Sequence, residues 1–477
     1  TIRQFSASPL RAESGRFTVR EPHAPPRRKA YERVALPALD IPVVQTAGLL
    51  VVGGGTSGAA AALAGAGEGL HTILLDANPG PGGTATFGGV DSHWYGRKVG
   101  FAARTQALVD AVHRQIHHPA GSLWNLEGKA AALLAEMERL GVQAFFNVLC
   151  TGTVMDGSRV CGVVCATPYG PCAFLGEMVI DATGDGDVAY FAGAKMEYGS
   201  PRDHTTIWYS LAQFAQPGRT RNNFTSMVNV SDCEDTTRAI LAGRRRGGEL
   251  LDHGAYLAPR ESRRIVTDER VTLTGILRGQ QWQNVVNIHF SNYDVKGKSE
   301  TDWVLLGFIP PNLEMEIPYR SLLPMGVENL LAVGKAIGVS HAALPAVRMQ
   351  ADLENLGGAA GVAAALALRA GVSSRQVDIR QLQARLVQEG LLPPEVLSRK
   401  IEPRRYSPAE IAALVDNLDA EKPLYTYSDM EMDEVYRGII PLVEIGALGS
   451  AAVPALERAL ETADGKRRIL IAQLLAL

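Results

Sequence analysis

The sequence predicts an α/β chain. It should hold a parallel, helix-covered sheet carrying an antiparallel meander, then a mixed α/β segment, then a run of C-terminal helices. Three observations predict this. A short apolar strand, Leu49 to Val52, runs into Gly53-x-Gly55-x-x-Gly58 and then an Ala-rich helix. From Val142 the hydrophobic period changes to two, with Asp156-Gly157 and Tyr169-Gly170 marking turns, the pattern of antiparallel strands. Beyond Gly371 the chain becomes charged and amphipathic with Pro-containing joints, which reads as helices.

The glycine loop carries the first chemistry. Glycines permit a tight turn and let a pyrophosphate approach the backbone, and the following helix N-terminus offers free N–H groups and positive dipole. Gly53, Gly55, Thr56, Ser57 and Gly58 are therefore candidate phosphate contacts. The next strand, HTILLD, ends at Asp76, 23 residues past Gly53 (76 − 53). A dinucleotide fingerprint places an acid about 20 residues on, to bind a ribose hydroxyl. With 49 glycines in the chain a chance GxGxxG is cheap, so the strand before, helix after and acid on schedule carry the weight.

Further segments point to one family. MVIDATGDGDVAYFAGA from Met178, PGGTATFGGV from Pro81 and NLLAVGKAIGVSHAALPAVRMQADLENLGGAAGVAAALAL from Asn329 resemble the FAD-binding segments of the glutathione-reductase and fumarate-reductase flavoprotein superfamily. With PRESRRIV at Pro259 and EIPYRSLLP at Glu316, the match is best to its FAD-dependent oxidoreductases, over about residues 45 to 372. The resemblance implies a Rossmann-like FAD-binding domain with an inserted β-meander. It also implies FAD contacts from Asp76 and Ala77, from Gly83 and Thr84, from the backbone at Val148, from Ala182, Thr183, Gly184 and Asp187, and from Gly334, Arg348 and Met349. Related folds host many chemistries, so the substrate is far less specified than the cofactor.

Bulk properties bound the rest. A length of 477 residues suggests two to four domains, and 46% hydrophobic with 20% charged residues is ordinary for a globular protein. A net charge of −3 gives no electrostatic argument for nucleic acid or an anionic membrane, and no apolar run reaches the roughly 18 residues of a membrane span. The five cysteines make no secreted-type framework. Cys161 and Cys165 could share a strand face but sit far from the first glycine loop, against a dithiol redox pair. No His, Cys, Asp or Glu spacing reads as a metal site, and a cytoplasmic location is expected.

The expected organisation is an N-terminal arm (1–45), an FAD-binding part (46–200), a substrate domain (201–312), a second FAD-binding part (313–372), a helical linker (373–435) and a HEAT-like helical pair (436–477). Such a pair cannot bury its own apolar face, so it should cap onto the linker helices, pair with another subunit or continue beyond Leu477; a docking or assembly role, in a homo-oligomer or with a protein partner, is expected of it. Packing helices are expected over Arg104 to Ile116 and Lys129 to Leu140, and a basic helix over Thr236 to Gly247.

Catalytic candidates follow from flavin chemistry, which needs a positive or N–H donor near the reduced ring's negative edge. A helix beginning near Met349 supplies one, and Arg348 at its entrance another, unless Arg348 forms a structural ion pair. His341 is a candidate base for an alcohol or amine proton, or a buried histidine bonded to backbone. His289 is the substrate-domain candidate, and His93 could line the pocket or carry flavin covalently. In PRESRRIV, strand alternation would send Glu261 and Arg263 to one face and Arg260, Ser262 and Arg264 to the other. One face would pair charges and the other meet an anionic or hydroxyl-rich substrate, so Arg263 and Arg264 are candidates beside His341. The reading is an oxidoreductase taking a hydride from a C–H next to oxygen or nitrogen, sugars included. Reduction of an activated double bond is the alternative within the same class, and a flavin-binding interaction protein the alternative outside it.

Overall fold

The computed structural model describes residues 10–13, 16–19, 40–119, 123–202, 204–216, 219–224, 228, 232–247, 252–294, 312–418, 435 and 437–476. In the arm, β1 (Leu10–Glu13) and β2 (Arg16–Val19) form an antiparallel pair; the rest of the arm up to residue 39 lies outside the described residues.

The first apolar strand is longer than its motif. β3 spans Val43–Val52, and its last four residues are all buried, as a central strand covered on both faces requires. It leads into α1 (Thr56–Gly67) and β4 (Thr72–Asp76). α2 (Gly100–Gln115) and α3 (Leu126–Leu140) follow. The expected strand from Val142 to Cys150 divides into β5 (Gln143–Phe146) and β6 (Leu149–Asp156), because Asn147 takes a left-handed φ of 58° between them. β7 (Arg159–Thr167) and β8 (Gly170–Asp181) complete the meander.

β8 belongs to three ladders. Its N-terminal half pairs antiparallel with β7. Its C-terminal end pairs parallel with β16 (Leu330–Ala332). β3 lies parallel to β8 on the other side, giving the order β5-β4-β3-β8-β7-β6 with β16 on β8. All three nucleotide motifs thus end at the C-terminal edge of neighbouring parallel strands, where open α/β sheets place their ligands.

Between these parts, α4 (Asp187–Phe191) and β9 (Met196–Tyr198) lead to a three-stranded antiparallel sheet. It contains β10 (Ser210–Gln216), β11 (Arg219–Phe224) and β12 (Asp252–Ala258), with α5 (Cys233–Gly247) beside it. β13 (Arg263–Ile265) then returns to pair with β9. After α6 (Leu273–Leu277), β14 (Val285–Ser291) pairs with β15 (Leu313–Pro318). Both pairings cross the boundaries expected near 200 and 312, so the middle segment is stitched to the sheet domain at two places.

The second FAD-binding part ends in α7 (Leu344–Val347) and α8 (Gln350–Ala370). α8 lies against α1 closely enough that a side chain at Gly357 would sit 2.0 Å from the Ser57 carbonyl oxygen, and one at Gly361 2.4 Å from that of Ala61. Only glycine fits at either crossing point.

The C-terminal segment holds α9 (Ile379–Gln388), α10 (Pro408–Asp416), α11 (Pro441–Leu448), α12 (Val453–Thr462) and α13 (Gly465–Ala476). Three short helices stand where a pair was expected. Their apolar faces are covered within the chain: Ile445, Leu456, Ile471 and Leu474 cluster with Ile411 and Val415 of α10. Ile440 and Val443 join the main core. Buried Glu444 binds Arg278 at 3.0 Å and also Arg404. The tail thus packs onto the linker helix α10. No helix among the described residues is long and apolar enough to cross a membrane.

Candidate functional site

The glycine loop is shaped by three different demands. Gly53 has φ 99° and no room for a side chain, since a Cβ there would lie 2.3 Å from the Ala182 carbonyl oxygen. At Gly58 a Cβ would lie 1.7 Å from the Gly53 oxygen, so the helix could not start so close to the strand. Gly55 differs: a Cβ would meet only the Gly83 Cα, at 3.9 Å. Its face is open, as a loop that admits a pyrophosphate must be. The loop after β4 backs onto it, with the Gly82 N–H donating to the Gly54 carbonyl at 2.8 Å.

Asp76 is buried at the end of β4 and takes N–H donors from Gly54 and, at 2.6 Å, from Asn78. Burial raises its carboxyl above the usual range, and these N–H donors oppose the shift. Ala77 beside it is exposed. Val148 donates its N–H to the Asp76 carbonyl at 2.9 Å.

The ATGDGD turn is tied down by its own side chains. Fully buried Asp181 accepts from the Thr183 hydroxyl at 2.7 Å and the Ala189 N–H at 2.9 Å. Gly184 is left-handed at φ 77°, and Lys335 reaches its carbonyl and, at 3.1 Å, the Asp185 carboxylate. Gly334 lies next to Ser57, whose oxygen would be 3.5 Å from a Cβ at Gly334.

Thr56, Thr84, Arg348 and Met349 line one open cleft, together with Arg260, Asp294, Trp94 and Lys335. α8 begins there with Met349 at its N-cap and no side-chain cap, so its first N–H groups have no intrahelical acceptor. Arg348 donates to the Asp294 carboxylate and carbonyl, both at 2.9 Å. Burial lowers the Arg348 guanidinium from its ordinary value, and Asp294 works against that. Arg260 donates to the Trp208 carbonyl at 2.6 Å. Burial first, and the like charge of Arg348 second, bring it down to about 9.

The other catalytic candidates separate. Arg263 is not at the cleft: it clasps the ATGDGD turn, donating to the Asp185 carbonyl at 2.9 Å and to the Asp187 carboxylate, while stacking on Tyr190. Burial raises Asp187 to about 7 despite this cation. Arg264 is 1% exposed and donates to the Val339 and Gly199 carbonyls and to Glu261. The expected alternation fails because residues 259–262 belong to no strand, with a bend at Arg260 and β13 starting only at Arg263. Arg260 is the one that reaches the cleft, and sequence reasoning passed over it for its neighbours.

His341 is buried outside the cleft lining, with Nδ1 against both Glu261 oxygens. His289 is fully buried on β14, its Nδ1 bonded to the Val347 carbonyl at 2.8 Å, and it lies outside the cleft lining. Burial lowers it to about 3. The His93 side chain is buried near Trp124 and lies 3.8 Å from Glu354. Among the described residues no cluster could hold a metal ion.

The residues fit a flavin dinucleotide. Three buried side-chain atoms without a partner lie beside the loop or the cleft: Ser57 Oγ, Arg348 Nε and Gln350 Oε1. With the open Gly55 face, the strand-end acid and the uncapped helix, they define an enzyme built around a bound dinucleotide. The model of the FAD dependent oxidoreductase family matches residues 48–245 and 238–386, and the chain belongs to that family. It is an oxidoreductase, and its cofactor is FAD.

No curated protein matches the sequence. Among solved structures it is similar to a geranylgeranyl bacteriochlorophyll reductase-like protein from Thermoplasma acidophilum (13% identity, 87% of this chain and 99% of that one, TM-score 0.37). It is also similar to an anhydrotetracycline hydroxylase from Streptomyces rimosus (14%, 91% and 76%, 0.36). A 3-ketosteroid-Δ4-(5α)-dehydrogenase from Rhodococcus jostii gives 14%, 68% and 97%, and 0.35. All three scores fall below 0.5, so the reaction is argued from the residues.

Proposed function

We propose that the chain takes a hydride from a C–H next to oxygen or nitrogen in a small polar molecule seated in the cleft. One observation carries the reading: Thr56, Thr84, Arg348 and Met349, from three separate nucleotide segments, line the same cleft as Arg260. When bound, FAD supplies the two-electron acceptor. The chain supplies the rest. The first turn of α1, with Thr56 and Ser57, would hold the pyrophosphate, and Asp76 a ribose hydroxyl. The Val148 carbonyl would face the adenine, with Ala182 to Gly184 and Gly334 walling the dinucleotide. The α8 N-terminus and Arg348 would neutralise charge at the ring's pyrimidine edge.

In this proposal residues 46–200 and 313–372 bind the cofactor and 201–312 covers the substrate side. His341 acts from behind the cleft wall as a positioning residue through Glu261.

The test is an oxygen-free screen of sugars, alcohols, amines and acids for bleaching of the protein's bound flavin. Bleaching by one class supports the reading. If none bleaches it, while an activated double bond reoxidises the chemically reduced protein, the enzyme runs as a reductase and the proposal fails.

A further inference from the structure

One wall of the cleft holds a large apolar ring open to water. Trp94 lines the cleft and is 60% exposed, yet the loop that bears it is tied down from behind. Trp124, just before α3, donates its indole N–H to the Ala85 carbonyl at 2.8 Å and its backbone N–H to the Asp91 carbonyl at 3.0 Å. Lys129 of α3 lies 4.1 Å over the Trp124 ring and pairs with Glu354 of α8 at 2.9 Å, both side chains buried. Tyr95, edge-on to Trp94 with 5.8 Å between ring centres, packs against Phe290 of β14 at 5.4 Å. An exposed indole on so fixed a base is a stacking surface whose use orders little more of the protein. Polar groups share its cleft: Asp91 and Ser92 on the same loop, and Ser210 of β10 paired with Ala258 of β12.

Resting on the reading above, we propose that the substrate is a pyranose, a sugar closed into a six-membered ring, stacked on Trp94. A pyranose presents C–H bonds on its face and hydroxyls around its edge. The face suits an aromatic ring, whose negative surface attracts polarised C–H bonds. The edge suits the hydrogen-bonding groups of Asp91, Ser92 and Ser210. A flat aromatic ring would match the indole alone, and an open-chain polyol has no fixed face to lay on it. Each hydroxyl-bearing ring carbon also carries a C–H next to oxygen, the bond that the proposed reaction breaks. The hydride leaves one such carbon for FAD with both bonding electrons, its hydroxyl proton leaves to water, and C–O becomes C=O.

Rings are tested against chains: glucose, galactose, mannose and their methyl pyranosides against sorbitol, galactitol and mannitol, with benzyl alcohol as a flat ring. Each is mixed with the FAD-loaded protein without oxygen to follow bleaching. Binding is read separately by titration calorimetry on the chemically reduced protein, which cannot accept a hydride. At least one pyranose should bind and bleach the flavin, and its open-chain partner should bind about tenfold more weakly. Trp94→Ala should weaken pyranose binding about ten- to a hundredfold at native FAD content, the loss falling on KM more than on kcat. Trp94→Phe should recover part of it.

Open-chain polyols that bind and bleach as well as their cyclic partners overturn the stacking and leave hydride abstraction standing. Benzyl alcohol preferred to every pyranose makes the occupant a flat ring and overturns the sugar. Loss of FAD from Trp94→Ala makes the indole a cover for the cofactor and overturns the platform, as does pyranose binding unchanged in that variant. Pyranose binding that depends on Trp94, with no bleaching by any compound, keeps the platform and sinks the oxidation. No pyranose binding at all overturns the platform, whatever bleaches the flavin.

Discussion

Both carboxylate oxygens of Glu261 face Nδ1 of His341, at 2.8 and 2.9 Å. Glu261 is fully buried, also takes the guanidinium of Arg264, and accepts the Ile207 N–H at 2.9 Å. One carboxylate thus joins the bend after β12, strand β13 and the loop before α7.

Glu261→Ala should therefore destabilise the protein by about 3–5 kcal/mol, because it leaves the Arg264 charge buried without its partner. Denaturant unfolding measures it. His341→Ala should lower stability less and change the rate of flavin reduction by under about tenfold. A loss of about a hundredfold with FAD content intact would make His341 the general base instead.

Two glycines of the nucleotide loop should respond oppositely. Gly58→Ala drives a Cβ into the Gly53 carbonyl oxygen, so the variant should fail to fold or to hold FAD under any conditions. Gly55→Ala meets only an ordinary contact and should fold with near-normal thermal stability while FAD affinity drops about tenfold or more. Equal behaviour of the two would mean the pyrophosphate does not cross this loop.

Asp352, in the first turn of α8, accepts the Arg97 N–H at 2.7 Å and the Phe290 N–H at 2.9 Å. Burial raises its pKa to about 7 against those donors. A carboxyl raised in the folded state binds more protons folded than unfolded between its two pKa values, so its contribution to stability falls as pH rises from about 4 to 7. The stability of the native protein minus that of Asp352→Asn should shrink across that window in denaturant titrations. A difference that is flat or grows would put the Asp352 pKa elsewhere.

Ile440 and Val443 open the tail but belong to the main core. Ile440→Ala should cost about 2–5 kcal/mol and shift the melting of the FAD-loaded body itself. Removal of residues 436–477 should impair solubility and flavin retention together. A tail that melts separately, or a truncated protein with normal FAD content, would return these helices to an independent docking role.

The nucleotide motifs were legible because their signals are local: a strand, a spaced set of glycines and an acid within one stretch of chain. The start of α8 at Met349 was legible for the same reason. What the sequence hid is non-local. The β9–β13 and β14–β15 pairings depend on partners more than 20 residues away, and nothing near His289 announces that Val347 will cover it. Strand alternation misplaces this segment because residues 259–262 belong to no strand: it sets Glu261 and Arg264 on opposite faces, whereas they form an ion pair. The tail's cover was not legible locally, because Val415 of α10 lies 30 residues before Ile445 (445 − 415).

The glycine crossing of α1 and α8 joins residues three hundred positions apart, Ser57 with Gly357 and Ala61 with Gly361. During synthesis the nucleotide loop therefore emerges long before the helix that covers its back. At 5–20 residues per second the interval is about 15–60 s. Through that time the Ala-rich face of α1 has no native partner, and closing so wide a loop is slow in its own right. Cofactor capture should therefore come late in folding, after α8 has closed over the back of the nucleotide loop.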